Sequence, residues 1–168
     1  NSNPAKVQMW DLKGKLISNF AVSKSSVNAV AFSPDGQIIA TGTNGNPGQV
    51  QLWNLQGKLI RSFWVSKGSV NAVGFSPQGN AIVTGSNGNP AKIELWNLQG
   101  KLIQGFPITP DQQGVNSVAF SLDGQKIINI NRGEDGSQTV VLQMWDLKGN
   151  LLEKPLLYPG FFAVVSAD

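Results

Sequence analysis

Apolar residues in this chain come in short runs of four to seven positions, some alternating with polar residues and some unbroken. "VNAVAFSPDG" (Val27–Gly36), "VNAVGFSPQG" (Val70–Gly79) and "VNSVAFSLDG" (Val115–Gly124) are copies of one phrase. "IIATGT" (Ile38–Thr43) and "AIVTGS" (Ala81–Ser86) are copies of another. Val, Ile, Phe and Trp dominate the runs, and "PDG", "NGNP" and "QGK" bound them. No stretch carries a helical period, so the pattern predicts strand, turn and strand throughout.

A longer period organises these strands. Trp10, Trp53, Trp96 and Trp145 each sit in a phrase of the form apolar, Gln or Glu, apolar, Trp, Asp or Asn, Leu, at spacings of 43, 43 and 49 residues. Each period holds four predicted strands, in the clearest unit Val27–Phe32, Ile38–Thr43, Gln49–Asn54 and Lys58–Phe63. Short connections make neighbouring strands antiparallel. A lone sheet of this composition leaves apolar faces wet, and stacking such sheets around an axis buries both. The expected fold is all-β, a β-propeller with four-stranded antiparallel blades.

The period, the Trp-Asp or Trp-Asn pair after the third strand and the "VNAVAFSPDG" phrase together resemble the WD-repeat propellers, over nearly the whole chain. In the repeat phrases Trp10, Trp53, Trp96 and Trp145, with Phe32, Phe75 and Phe120, are expected to be structural. The resemblance implies a buried network joining a Gly-His pair, an Asp, a Ser or Thr and the Trp. This chain has no His; the Gly-His place reads Ser23-Lys24, Ser66-Lys67 or "TPDQQG". The network therefore cannot form in its usual shape. The turn between second and third strands reads "NGNP" (Asn44–Pro47, Asn87–Pro90) or "NSNP" (Asn1–Pro4). Its Asn side chains and Pro are expected to stiffen it by Asx-type hydrogen bonds.

Joining the last residues to the first gives "AVVSADNSNPAKVQMWDL", which aligns without a gap to "AIVTGSNGNPAKIELWNL" (Ala81–Leu98). The two ends are thus expected to share one blade. Leu156–Tyr158 and Phe161–Ser166 would be its inner strands, and the regions near Lys6–Leu12 and Lys15–Phe20 its outer ones. Trp53 to Thr84 is 31 residues but Trp145 to Ser166 only 21, a shortfall placed in the connector and a clipped Pro159-Gly160 turn. The expected organisation is one propeller domain over residues 1–168, with blades at about 156–168 plus 1–20, 27–63, 70–106 and 115–153. This clasp would leave no orphaned sheet edge. Four blades per chain are few beside the seven or eight that the resemblance implies. Either four blades close alone, or two chains clasp each other into an eight-bladed ring; the homodimer is narrowly favoured.

Composition changes the functional picture by subtraction. Hydrophobic residues make up 40% and charged residues 14% of the 168, too apolar for a disordered tail. No apolar run reaches the ~18 residues of a membrane span. The net charge of +3 is spread over scattered Lys residues, without the dense basic patch of a nucleic-acid binder. Absence of Cys and His excludes the Ser-His triad, the Cys nucleophile and the commonest zinc ligands. A carboxylate pair remains open, but Asp35 and Asp123 fall in "DG" turns and Asp11 and Asp146 follow the repeat Trp, where turn geometry explains them. "RGEDGSQ" (Arg132–Gln138) clusters two acids; it lacks the acid spacing of a calcium loop and reads as a solvated turn. No enzyme activity, cofactor or metal is expected.

Binding is the expectation instead, because loops held by rigid sheets carry function. The resemblance implies a partner face built from the loops Ser23–Ser26, Ser66–Ser69 and Thr109–Gly114 with Asn44–Gly48, Asn87–Ala91 and Asn131–Gln138. These loops or their flanks carry Lys24, Lys67, Lys92 and Arg132, besides Asn44 and Asn87. Trp64 stands where the other units have Ala21 and Pro107, and it is the one Trp the repeat does not account for. Exposed Trp beside Lys is a hot-spot composition; alternatively Trp64 covers the neighbouring blade's edge. The expected function is a protein-interaction scaffold. The alternatives are a small-ligand or glycan binder with one pocket per blade, and a purely structural or oligomerising domain. Neither a nucleic acid nor a membrane is an expected partner, and a cytoplasmic location is favoured.

Overall fold

The structure is a computed structural model and describes residues 4–108, 114–132, 139–153 and 156–159. These residues form fourteen strands and no helix. The first sheet pairs β1 (Ala5–Trp10) with β2 (Leu16–Ser23). Three four-stranded antiparallel sheets follow in chain order. The second holds β3 (Val27–Phe32), β4 (Ile38–Thr43), β5 (Gln49–Asn54) and β6 (Leu59–Trp64). The third holds β7 (Val70–Phe75), β8 (Ala81–Ser86), β9 (Lys92–Asn97) and β10 (Leu102–Phe106). The fourth holds β11 (Val115–Phe120), β12 (Lys126–Arg132), β13 (Thr139–Asp146) and β14 (Leu156–Pro159). The fold is all-β and propeller-like, as the repeat pattern predicts.

Local chemistry explains why the chain turns where it does. After each repeat Trp, the Asp or Asn side chain accepts two backbone N–H bonds, from the residues two and four ahead. Asp11 takes Lys13 and Lys15, Asn54 takes Gln56 and Lys58, Asn97 takes Gln99 and Lys101, and Asp146 takes Lys148 and Asn150. Asp11 and Leu12 are therefore turn residues rather than the end of a strand, and β1 stops at Trp10. A second turn type closes the first hairpin of each full sheet. The Ser33 hydroxyl donates to Asp35 and accepts the Ile38 N–H, and Ser121 does the same with Asp123 and Lys126. In both turns the Ser hydroxyl holds the Asp carboxyl below its usual range, with a backbone N–H adding to the effect. Asp146 is likewise lowered, first by the Asn150 side chain.

The sheets pack face to face in chain order, and one aromatic contact recurs at each junction. Phe20 of the first sheet meets Trp53 of the second at 5.6 Å between ring centroids. Phe63 meets Trp96 at 5.1 Å, and Phe106 meets Trp145 at 6.1 Å. Around these pairs lie three apolar cores, centred on Ile39 and Trp53, on Val50 and Ile82, and on Ile93 and Ile127. Burial follows the order of stacking: Val30 on β3 is 58% exposed, whereas its counterpart Val118 on β11 is 6%. Each inner strand is covered by the sheet before it, and the first sheet's two described strands leave β3 uncovered.

The end of the chain departs from expectation. The sequence places Leu156–Tyr158 as an inner strand of the shared blade, but β14 pairs antiparallel with β13, Leu142 opposite Leu156 and Thr139 opposite Pro159. It is the outer strand of the fourth sheet. Trp145 pairs with Leu151 and Leu142 with Leu156, a shift of two residues in register. Phe161–Ser166, the other expected inner strand, lies outside the described residues.

Candidate functional site

The repeat Trp residues are structural. Trp53 donates its indole N–H to the Thr41 hydroxyl at 3.1 Å, and Trp96 to Thr84 at 3.0 Å. In the fourth sheet Asn129 Oδ1 takes that place, accepting from Trp145 at 2.6 Å. Its Nδ2 continues to Asn131 and Gln143, making a buried amide cluster where the other sheets have hydroxyls. The Trp-to-hydroxyl half of the network thus forms without His. Phe120 is buried with its core, Phe75 is half-buried, and Phe32 is exposed for the same reason as Val30.

The connecting loops are fastened to their neighbours. Glu94, buried on β9, accepts both the backbone N–H and the hydroxyl of Ser66 in the loop between the second and third sheets. The equivalent residue of the second sheet, Gln51, donates to Gln49 and keeps a buried Oε1 without a partner. Ser69, in the same loop as Ser66, donates to Asn44 and Gly45, accepts the Gly45 N–H at 3.1 Å, and gives its own N–H to Asn87 at 2.9 Å. Asn46 Oδ1 accepts the Gly68 N–H at 3.1 Å.

This corrects the expectation for the "NGNP" turns. The Asn side chains are engaged outside their own turn: Asn44 and Asn46 reach across to the loop before the next sheet, and Asn87 accepts the N–H of Ser69 just before β7 of its own sheet. Inside the turn, the Thr43 hydroxyl does the local work by accepting the Gln49 N–H at 2.9 Å. Asn44 is therefore a clasp between the second and third sheets, Asn87 extends the β7–β8 hairpin of its own sheet, and each has its Oδ1 already used. Asn89, which repeats Asn46, precedes a cis proline as Asn46 does.

Of the other candidates, Trp64 ends β6 opposite Gln49 and is 61% exposed. Lys67 is exposed on the connecting loop clasped by Glu94 and Asn44, and Lys24 is exposed on the preceding one. Lys92 is half-buried at the start of β9, its carbonyl accepting the Ser86 hydroxyl. Arg132 ends β12, and nothing of its side chain is described. The acidic stretch from Gly133 to Gln138 and the loop residues 109–113 lie outside the described residues. Among the described residues, no three acidic side chains gather as a metal site would require.

One feature is not written in any single repeat. The inner strands and the turns after them border an open apolar cleft of about 420 Å³, whose lining includes Phe32, Pro34, Phe75, Pro77, Phe120 and Leu122. Each pair comes from the same "Phe-Ser-Pro" or "Phe-Ser-Leu" phrase of successive units. Asn28 and Asn71, also on these inner strands, are linked by a 3.5 Å hydrogen bond between β3 and β7.

Two comparisons with known proteins bear on this arrangement. No curated protein matches the chain. The family profile described as eukaryotic translation initiation factor eIF2A matches residues 2–63 and, in a second overlapping match, residues 47–162. Two overlapping matches to one profile are what a repeated unit produces. They carry the broader conclusion, a β-propeller-type repeat family, while the likeness to WD repeats in particular remains one of sequence phrases. By matches that together span nearly all of its length, the chain belongs to the eIF2A family.

Proposed function

We propose that this chain is a non-enzymatic protein-interaction scaffold of the translation apparatus, binding its partner through the rim that carries Trp64. The observation that carries this reading is Trp64 itself, a large apolar side chain 61% exposed at a strand end. The loop that follows it, Val65–Ser69, is held by Glu94, Asn44 and Asn87. A rigid loop loses little conformational entropy on binding, and an aromatic anchor beside a cation is the composition that dominates interface energies. Lys67 lies three residues after Trp64 and is exposed. The translation setting is taken from the family's description. The alternative of one glycan pocket per blade loses support, because the Asn44 and Asn87 oxygens are spent inside the fold.

The test is co-sedimentation of the chain with ribosomal particles and with isolated initiation-factor fractions. Binding that falls at least tenfold in Trp64→Ala and again in Lys67→Glu supports both the setting and the rim. Binding that both variants retain removes the rim, and absence of binding to any fraction removes the translation setting.

A further inference from the structure

Five of the six residues of β6 are exposed, and only Phe63 is buried. β6 is the outer strand of the second sheet, which has all four of its strands and lies between the first and third sheets. Its open edge is therefore a property of the repeat unit, and among the described residues no strand pairs with it. Two hydrogen bonds show which backbone groups that edge offers. Val65 gives its N–H to the Gly48 carbonyl, and Gln49 turns its own N–H to Thr43, away from Trp64. Bonded and non-bonded pairs alternate along an antiparallel ladder. Trp64, opposite Gln49, and Ser62, opposite Gln51, thus turn their N–H and C=O groups outward.

The other units do not repeat this edge. Phe106 lies opposite Ile93 as Phe63 lies opposite Val50, so Gly105 and Pro107 hold the places of Ser62 and Trp64 on the third sheet. Pro107 has no N–H to offer, which is how an edge strand is blunted. On the first sheet Phe20 lies opposite Val7, so Asn19 and Ala21 hold those places and no large side chain stands beside them. Charge narrows the occupant further. Lys58, Arg61 and Lys67 are exposed at the start, middle and far end of β6, and among the described residues none of them makes an ion pair. From Lys24 to Ser69 the single acid is Asp35, in the turn between β3 and β4 on the opposite, inner side of the sheet.

We infer that an acidic, extended segment of a partner protein adds to β6 as a fifth strand. Its backbone pairs with Ser62 and Trp64, its carboxylates face Lys58, Arg61 and Lys67, and an apolar side chain covers Trp64. Main-chain bonds along a sheet edge supply affinity, and alternate side chains supply specificity. A nucleic acid brings negative charge but no row of amide donors and acceptors to match the edge. The inference rests on the reading of Trp64 as part of a partner surface and gives that surface its mode of recognition.

The test is fluorescence polarisation of labelled peptides with the whole 168-residue chain. The probe is a short peptide of alternating Glu and Val, and it should bind where a peptide of alternating Lys and Val does not. Ser62→Pro removes one outward N–H without costing the sheet a ladder bond. It should raise the dissociation constant at least about fivefold over that of Ser62→Ala, the worth of one modest hydrogen bond. Trp64→Pro should exceed Trp64→Ala by a similar factor, which isolates the N–H from the indole. Circular dichroism of each variant separates lost binding from lost folding, and either proline suffices if the other fails to fold. Failure of the Glu-Val peptide to bind overturns the inference. So does equal binding of the Lys-Val peptide, and so do proline variants that bind as well as their alanine counterparts. A single-stranded oligouridylate that displaces the peptide and binds more tightly overturns the choice of occupant. Ribosomal particles that are lost by Trp64→Ala but kept by Ser62→Pro would leave the rim standing and overturn strand addition. If the peptide obeys the proline variants while no ribosomal fraction binds at all, the translation setting fails and the strand site stands.

Discussion

At the scale of single residues, the chain is held by polar side chains whose partners are few and specific. Thr84 is the acceptor for the buried Trp96 indole and also donates to the Glu94 carbonyl. Thr84→Val keeps the volume but leaves the indole N–H unpaired, which costs about 1–3 kcal/mol. Thr84→Ser should recover most of that loss, and urea unfolding of the two variants checks the contrast. Asp35 and Asp123 make a pH prediction. Hydrogen bonds from Ser33 and Ser121 lower their folded-state pKa below that of the unfolded chain. Their contribution to stability is therefore full above the ordinary carboxylate value of 3.8 and is lost as pH falls through the lowered one. The urea midpoint of the wild type should fall below about pH 4, near the unfolded carboxylate range. Asp35→Asn should flatten that fall, and a profile unchanged by Asp35→Asn would remove Asp35 from the account.

At the scale of strands and turns, two glycines, Gly100 in a Trp-following turn and Gly36 in the turn between β3 and β4, separate backbone cost from packing cost. Gly100 has φ of +80°, and a Cβ there would stand 2.8 Å from Phe63. Gly36 has φ of +68° with nothing within 4 Å. Gly36→Ala should cost the left-handed penalty alone, about 1–2 kcal/mol, and Gly100→Ala that penalty and the displacement of Phe63 besides. Equal midpoints in thermal unfolding would show that Phe63 yields freely. At this scale the sequence was a good guide where the signal is local. The second sheet's strands start and stop within one residue of expectation, because turn residues and the Trp-Asn capping sit beside the strand they end. It failed where partners are distant. Asn44 reads as a turn stiffener until Ser69, 25 residues on, is seen to be its partner. Leu156–Tyr158 reads as a new inner strand because no local signal marks the register shift that returns it to the outer position beside β13. Among the described residues the rim loops were legible as loops; the apolar cleft was not, since its lining is gathered from three separate units.

At the scale of the whole molecule, stability is a sum over neighbouring sheets, since each described core joins one sheet to the next. Such quasi-one-dimensional stacks unfold by their weakest junction. Removing a buried Phe ring costs about 3–5 kcal/mol wherever it is taken, but its reach should depend on position. Phe106→Ala cuts the fourth sheet from the rest, while Phe63→Ala divides the stack between its second and third sheets. Hydrogen exchange, at a dilution that keeps copies apart, reads the difference. In Phe106→Ala, residues 115–132 and 139–146 should lose protection while Val27–Trp64 keep theirs. In Phe63→Ala, the second and third sheets should both weaken. If either variant opens every sheet at one common rate, the sheets are coupled beyond their neighbours. Coupling of that kind belongs to a ring closed within a single copy, in which the exposed faces of Trp10 and Leu156 would have to meet.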